Sequence, residues 1–217
     1  MQAFTDLATA AYCPRKLYYR RTHDDYDPPE SVTSIQSLAF RYEELLHPDT
    51  DLREEPIATT PTAYRSALGC AKARLDRWAE LADPPETQVF LRGKDAHGIA
   101  HKRLDDPPVP VIVSPGEPPE QGVWEPQGVR ATAAAKALAW ELETPVERAY
   151  LEYPAHGVVR TVRMTTRRKA TYRTALRTAE SIDGPPPRLR NDARCESCDY
   201  RGECGTRTRS LRSRLSR

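Results

Sequence analysis

Long apolar runs are missing from this sequence. No stretch approaches the roughly 18 apolar residues that a membrane-crossing helix needs, which argues against a helical membrane protein. Aromatics are scarce at 7%, with three Phe and three Trp, and only 38% of residues are hydrophobic, so a modest core should carry long polar loops. Twenty prolines fit that picture. Phosphate-cradling glycine loops are absent as well: neither G-x-x-x-x-G-K-[ST] nor G-x-G-x-x-G occurs. His23, His47, His97, His101 and His156 are scattered without an H-E-x-x-H pair. No internal repeat of solenoid length is present. The opening "MQAFTDLATAAYCPRK" lacks a basic leader followed by an apolar core, so it does not read as a signal peptide and a cytoplasmic protein is expected.

Five cysteines is an odd number and a small one for 217 residues. A chain of this length can bury a core without disulfide staples and reads as one domain over residues 1–217. Thiols kept reduced for a metal or cluster therefore fit better than a disulfide framework.

The net charge of +2 is unevenly spread. From Val158 onward there are 16 Lys and Arg against 6 Asp and Glu, so the earlier part of the chain is acidic. A basic last third on an acidic body suits a polyanionic partner such as nucleic acid, although a merely solvated arginine-rich surface has the same composition.

Helical spacing comes first. Thr5 to Arg21 reads as helix with Thr5 or Asp6 as N-cap and Pro14 as an interruption, and Ser31 or Thr33 caps a helix running to about Leu46. A third helix is predicted from Thr62 to Leu81 on the stripe Leu68, Leu75, Trp78 and Leu81. The period then changes to that of strands in "TQVFLRG", "GIAHKRL" and "VPVIVS". The Ala-rich "VRATAAAKALAWELE" is a helix, and "ERAYLEYPAHGVVRTVRM" is a hairpin turning at Ala155–Gly157. A basic helix from Thr165 or Thr166 to Ser181 follows. It puts Arg173 and Arg177 on one face one turn after Lys169, with Arg167 and Arg168 beside them, a candidate phosphate track.

The specific signal is Cys195-x2-Cys198-x5-Cys204. A closed thiolate site wants four ligands, for zinc and for an iron–sulfur cluster alike. Cys70, inside a predicted helix among small apolar residues, reads as a buried small hydrophobe. Cys13 sits where Pro14 breaks the first helix, which makes it the better fourth ligand. Such a site ties residues 1–21 to residues 190–205 in one lobe, with 206–217 as a basic tail expected to be disordered. Tyr12, Tyr18 and Tyr19 lie among Arg15, Lys16, Arg20 and Arg21, a mixture that can either stack on single-stranded bases or pack against that lobe.

"CPRKLYYRR" near the N-terminus, together with C-x2-C-x5-C near the C-terminus, resembles the CRISPR-associated RecB-like exonuclease family of PD-(D/E)XK nucleases. The resemblance rests on the two ends of the chain. It implies an α/β fold with a restriction-endonuclease-like αβββαβ core, N-terminal helices and a C-terminal four-cysteine lobe. It also implies that Cys13, Cys195, Cys198 and Cys204 hold a [4Fe–4S] cluster. DNA, single-stranded or with single-stranded ends, is the implied partner, beside CRISPR adaptation proteins.

The middle departs from the family pattern. Active members carry a helical His, an Asp ending a G-x-x-D strand, an E-x-K on the next strand and a Q-x-x-x-Y helix. Here Tyr42 falls at the His, His101 at the Asp, and Ile112 and Ser114 at the Glu and Lys, while the following helix has no Tyr. A hard divalent cation wants carboxylate oxygens, and neither Ile112 nor Ser114 supplies one. Asp95, Asp105, Asp106, Glu117 and Glu120 read as solvated loop acids. The expectation is a DNA-binding protein of adaptation or repair whose hydrolytic site is lost. The alternatives are an active single-stranded DNA exonuclease using Mg²⁺ or Mn²⁺, and a zinc-bound structural or regulatory DNA-binding module.

Overall fold

The computed structural model describes residues 1–23, 29–189 and 192–206, and the side chains of Asp192 and Thr206 are outside that description. It is a mixed α/β fold around one six-stranded sheet. The order is β1 (Gln2–Ala3), α1 (Phe4–Tyr12), α2 (Pro14–His23), α3 (Glu30–Ser37), α4 (Tyr42–Leu46), α5 (Pro61–Arg74) and α6 (Trp78–Ala82). Then come β2 (Glu86–Arg92), β3 (Ala96–Leu104), β4 (Val109–Val113), α7 (Glu125–Glu141), β5 (Arg148–Tyr153), β6 (Val158–Arg163), α8 (Thr166–Glu180), α9 (Asp192–Glu196) and α10 (Arg201–Thr206). No helix among the described residues is long and apolar enough to cross a membrane.

Strand β3 is the hub of the sheet. It pairs antiparallel with β2 from Glu86↔Arg103 to Arg92↔His97. Its other edge takes β4 at Lys102↔Val111 and Leu104↔Val109, and β1 at Gln2↔Ala96. Strand β5 runs parallel to β4, reached through α7 as a parallel pair requires, and β6 closes the sheet antiparallel to β5. Alternation along the strands separates two cores. Ile112, Leu151 and Val162 face α1, α7 and α8, whereas Val111, Val113, Tyr150 and Val159 face the layer built from α3 to α6.

Small residues set the closeness of the first layer. Ala131, Ala134, Ala135 and Ala137 of α7 are all buried, and a Cβ on Gly93 would stand 2.8 Å from the Ala137 Cα. Gly98 is required for a similar reason. Its φ is +155°, and a Cβ there would stand 2.6 Å from the buried Phe4 ring. Gly157 ends the β5–β6 connection in the left-handed region at φ +61°, where the sequence places the hairpin turn.

Three helical expectations need correction. The first helix starts at Phe4 after Ala3, so neither Thr5 nor Asp6 is its N-cap. The predicted 62–81 helix is two helices, broken at Leu75–Arg77, although its stripe Leu68, Trp78 and Leu81 is fully used in the core. The break carries no Pro or Gly; it turns the nearly buried Arg77 to donate to the Pro107 carbonyl and to Glu80. The helix expected from Ser31 or Thr33 starts at Glu30 after Pro29, then passes through a 3-10 turn (Leu38–Phe40) and breaks at Arg41. Arg41 there grips the Glu55 carboxylate with two hydrogen bonds of 2.7 and 3.0 Å, and Glu44 with two more of 2.6 and 2.9 Å.

Candidate metal centre and strand-edge site

The residue before a proline is pushed out of the helical region, and Cys13 shows it: φ −161°, ψ 112°, between α1 and α2. The break carries the thiol into a cavity that Cys195, Cys198 and Cys204 also line. Arg15, Lys16, Arg188, Arg194 and Arg201 line it too, and among the described residues no acid does. Arg15 lies near Cys204, and Lys16 near Cys198. Cations so placed suit sulfurs that must be thiolates to bind metal. The four sulfurs border one space; among the described residues no three His, Cys, Asp or Glu groups meet closely enough to share a single metal ion.

The lobe is held by contacts that span nearly the whole chain. Arg194 Nη1 donates to the Tyr12 carbonyl at 2.9 Å, its guanidinium lies 5.3 Å from the Tyr12 ring centre, and the Tyr12 hydroxyl donates to the Arg194 carbonyl at 3.2 Å. Lys16 pairs with Asp199 at 2.9 Å, His23 contacts Glu203 at 2.8 Å, and Tyr19 stacks on Tyr200 at 5.7 Å. These contacts decide the roles of the N-terminal tyrosines and cations. Tyr12 and Tyr19 pack against the lobe, and Arg20 and Arg21 are occupied by Asp6, while Tyr18 meets Tyr19 edge-on at 5.4 Å. Cys70 corrects an expectation: it is exposed on α5, not buried.

Three of the four positions at which the resemblance expects other residues lie on the α7 side of the sheet, each committed to structure. Val113 N–H donates to His101 Nδ1 at 3.1 Å. The β3–β4 ladder stops at Lys102↔Val111, so the imidazole stands in for the missing backbone acceptor, and the neutral ring carries its proton on Nε2. Burial, with Arg130 and Lys102 nearby, pushes His101 down to about 3. Ile112 is in the core. Gln127 Nε2 donates to Ser114 Oγ at 2.7 Å, while Tyr153 donates to Gln127 Oε1. Asp105, Asp106, Glu117 and Glu120 are exposed, and Asp95 is half-buried, all five outside strands and helices.

Tyr42 is the exception. It lies fully buried on the opposite face, in the core built from α3 to α6, and stacks on Trp78 at 5.5 Å. Beside it is a pair that sequence reasoning missed. Lys102 Nζ donates to Glu152 Oε1 at 2.9 Å, both side chains fully buried. The ammonium also donates to the Ala39 carbonyl at 2.6 Å and the Leu81 carbonyl at 2.8 Å. These are carbonyls at the ends of short helical segments, the groups a helix leaves unpaired. Phe40 and Tyr42 present their rings to it at 5.1 and 4.9 Å. Burial pushes Glu152 up and Lys102 down, and each partner opposes the other's shift. Among the described residues, Glu152 Oε2 and the hydroxyls of Tyr42 and Tyr64 find no hydrogen-bond partner. A pair sealed from solvent cannot touch a substrate, so its work is architectural.

On α8, Thr165 is the N-cap, its hydroxyl accepting from Arg168 N–H at 3.3 Å. Arg167, Lys169, Arg173 and Arg177 are exposed, the last three at four-residue spacing. Arg168 departs from the expected surface track. It is partly buried against Gly128 of α7, where a Cβ would stand 2.5 Å from its Nη1. Of the basic tail expected at 206–217, residues 207–217 lie outside the described residues. No protein-family model matches the chain, and no curated protein matches it significantly.

Proposed function

We propose that the chain is an iron–sulfur protein of the PD-(D/E)XK, RecB-like kind that binds DNA without hydrolysing it, in CRISPR adaptation or repair. The observation that carries this reading is the meeting of Cys13 with Cys195, Cys198 and Cys204 at one cation-lined cavity. The order α–β2–β3–β4–α7–β5 agrees with the αβββαβ core of those nucleases. The donor set fits the cluster: four thiols from two ends of the chain, with positive side chains to offset the negative charge of a thiolate-bound centre. A [4Fe–4S] group bound there supplies a four-way crosslink between the α1–α2 break and the C-terminal lobe. The protein's own residues do the rest. Lys169, Arg173 and Arg177 take phosphates along α8, while His101, Ile112 and Ser114 offer no carboxylate to a hydrolytic metal ion.

The test is anaerobic purification followed by iron, sulfide and zinc analysis, a binding titration and a cleavage assay with Mn²⁺ or EDTA. Iron and sulfide in equal amounts, with salt-sensitive DNA binding and intact DNA, is the expected result. Charge reversal of all three α8 residues should flatten the dependence of log affinity on log salt by about 2 for single strands. One zinc and no iron would overturn the cluster. Cleavage abolished by EDTA, tracking the protein, would overturn the loss of hydrolysis.

A further inference from the structure

At the end of the sheet opposite Ser114, where β4 and β5 begin, lies a groove of about 1280 Å³. The C-terminal half of α7, the end of β6 and the first turn of α8 complete its walls. Val109 and Val146 contribute apolar floor. Arg74, Lys136, Arg148, Arg163 and Lys169 line it, against two acids, Asp76 and Glu147. Asp76 is already paired with Arg148 at 3.5 Å, which leaves four cations against Glu147 and a lining with excess positive charge.

Trp140 gives the groove its character. It is 58% exposed on α7, one turn after Lys136, in a chain with only three Trp. A second recess of about 160 Å³ is also bordered by Trp140 and Lys136, so the indole stands on a ridge between two hollows. An exposed large aromatic gains little in water. Placed among cations it offers the pairing that unpaired bases and their phosphates use: stacking on one, charge on the other. A duplex, whose bases are already stacked, has no use for the indole, and an acidic peptide would use the cations alone.

We propose that this groove is a single-stranded nucleic-acid site, in which Trp140 stacks a base and Lys136, Arg163 and Lys169 hold neighbouring phosphates. Lys169 belongs also to the exposed row on α8, so a strand leaving the groove meets Arg173 and Arg177 next. The inference rests on the nucleic-acid part of the reading above and adds to it a place and a strand preference.

The test uses the full chain, anaerobically purified, with fluorescein-labelled oligo(dT) and a labelled duplex of equal length followed by anisotropy. Trp140→Ala should weaken oligo(dT) binding roughly tenfold, the loss of one stacked base, and leave duplex binding within about twofold. Trp140 is exposed, so the variant should keep its melting temperature. Lys136→Glu with Arg163→Glu is the second variant and should weaken oligo(dT) binding at least as much. Unchanged oligo(dT) affinity in both variants, with loss in Arg173→Glu/Arg177→Glu, would overturn the groove and leave the DNA-binding reading standing. Equal losses for oligo(dT) and duplex would overturn the strand preference. Polyglutamate that displaces oligo(dT) equally from wild type and Trp140→Ala would mark a surface for acidic protein and overturn the proposal. No binding of either nucleic acid by the wild type would remove both readings together.

Discussion

Glu152→Gln should be among the most damaging single-atom-sized changes this chain can suffer. Among the described residues the carboxylate is the one counter-charge that touches Lys102, and both are sealed from water. Glutamine keeps an acceptor oxygen but no charge, so the ammonium is left with neutral partners only: the amide and the Ala39 and Leu81 carbonyls. Breaking a buried pair from one side costs about 3–5 kcal/mol. An independent ceiling agrees: the lysine can escape by giving up its proton, which at neutral pH costs about 5 kcal/mol from its ordinary value. For a protein of this size that corresponds to a melting temperature lower by roughly 6–20 °C. Urea denaturation at neutral pH should show the loss as a lower midpoint with an unchanged slope. The variant should also become more stable as pH rises above neutral. The unfolded chain still binds the lysine proton there, whereas the buried amine, its value already depressed by burial, has lost the partner that supported its charge. Lys102→Met/Glu152→Gln should lose less than the sum of its single variants, because neither charge is left stranded. A Glu152→Gln loss under about 1 kcal/mol, or strict additivity in the double variant, would refute the reasoning.

Three further outcomes follow from the geometry. His101 is held near 3 when folded but titrates near 6.5 when unfolded, so its contribution is complete above about 6.5 and is lost as pH falls toward 3. At pH 4.5 the loss is about 2–3 kcal/mol, and His101→Asn, which keeps an acceptor for Val113 N–H, should flatten that slope in acid melts. Cys195→Ser should lower both the metal content and the melting temperature, while Cys70→Ser, exposed on α5, should change neither; a Cys195→Ser protein with full thermal stability and DNA affinity would remove the architectural role of the lobe. Gly98→Ala drives a methyl into the buried Phe4 ring and should cost about 1–3 kcal/mol by chemical denaturation; an unchanged midpoint would mean that β1 and α1 shift freely over β3.

Periodicity and punctuation in the sequence were enough for much of this fold. The three central strands, α7, the turn at Gly157 and the Thr165 cap of α8 fall where those signals place them, because each is specified by local chemistry. Pro14 likewise marks the break that exposes Cys13. The failures share a cause. The Leu75–Arg77 break is made by Arg77 reaching the Pro107 carbonyl, a partner 30 residues away that no window contains. Cys70 sits among small residues yet faces out, since composition around a helical position does not say which face it occupies. The Lys102–Glu152 pair was invisible for the same reason: a lysine in "GIAHKRL" looks solvent-facing until two helix ends and a strand 50 residues on are brought to it. Its one local signal was Lys102 standing two residues before the buried Leu104 on the same face of β3.

The cysteine lobe also sets a clock. Tyr12 and Arg194, which clasp each other there, are 182 residues apart. At the usual pace of synthesis, about 5–20 residues per second, roughly 10–40 s pass between the appearance of the first thiol and that of its partners. Through that interval α1 can settle on α7 as soon as α7 has emerged, but the side of α2 that carries Lys16, Tyr19 and His23 has nothing to cover it. A nascent chain thus shows the Cys13 thiol, together with the exposed Cys70, and the rings of Tyr19 and His23 to chaperones and oxidants for most of its making. On the cluster reading proposed above, the metal would reach a body already folded and would close the last gap between its two ends.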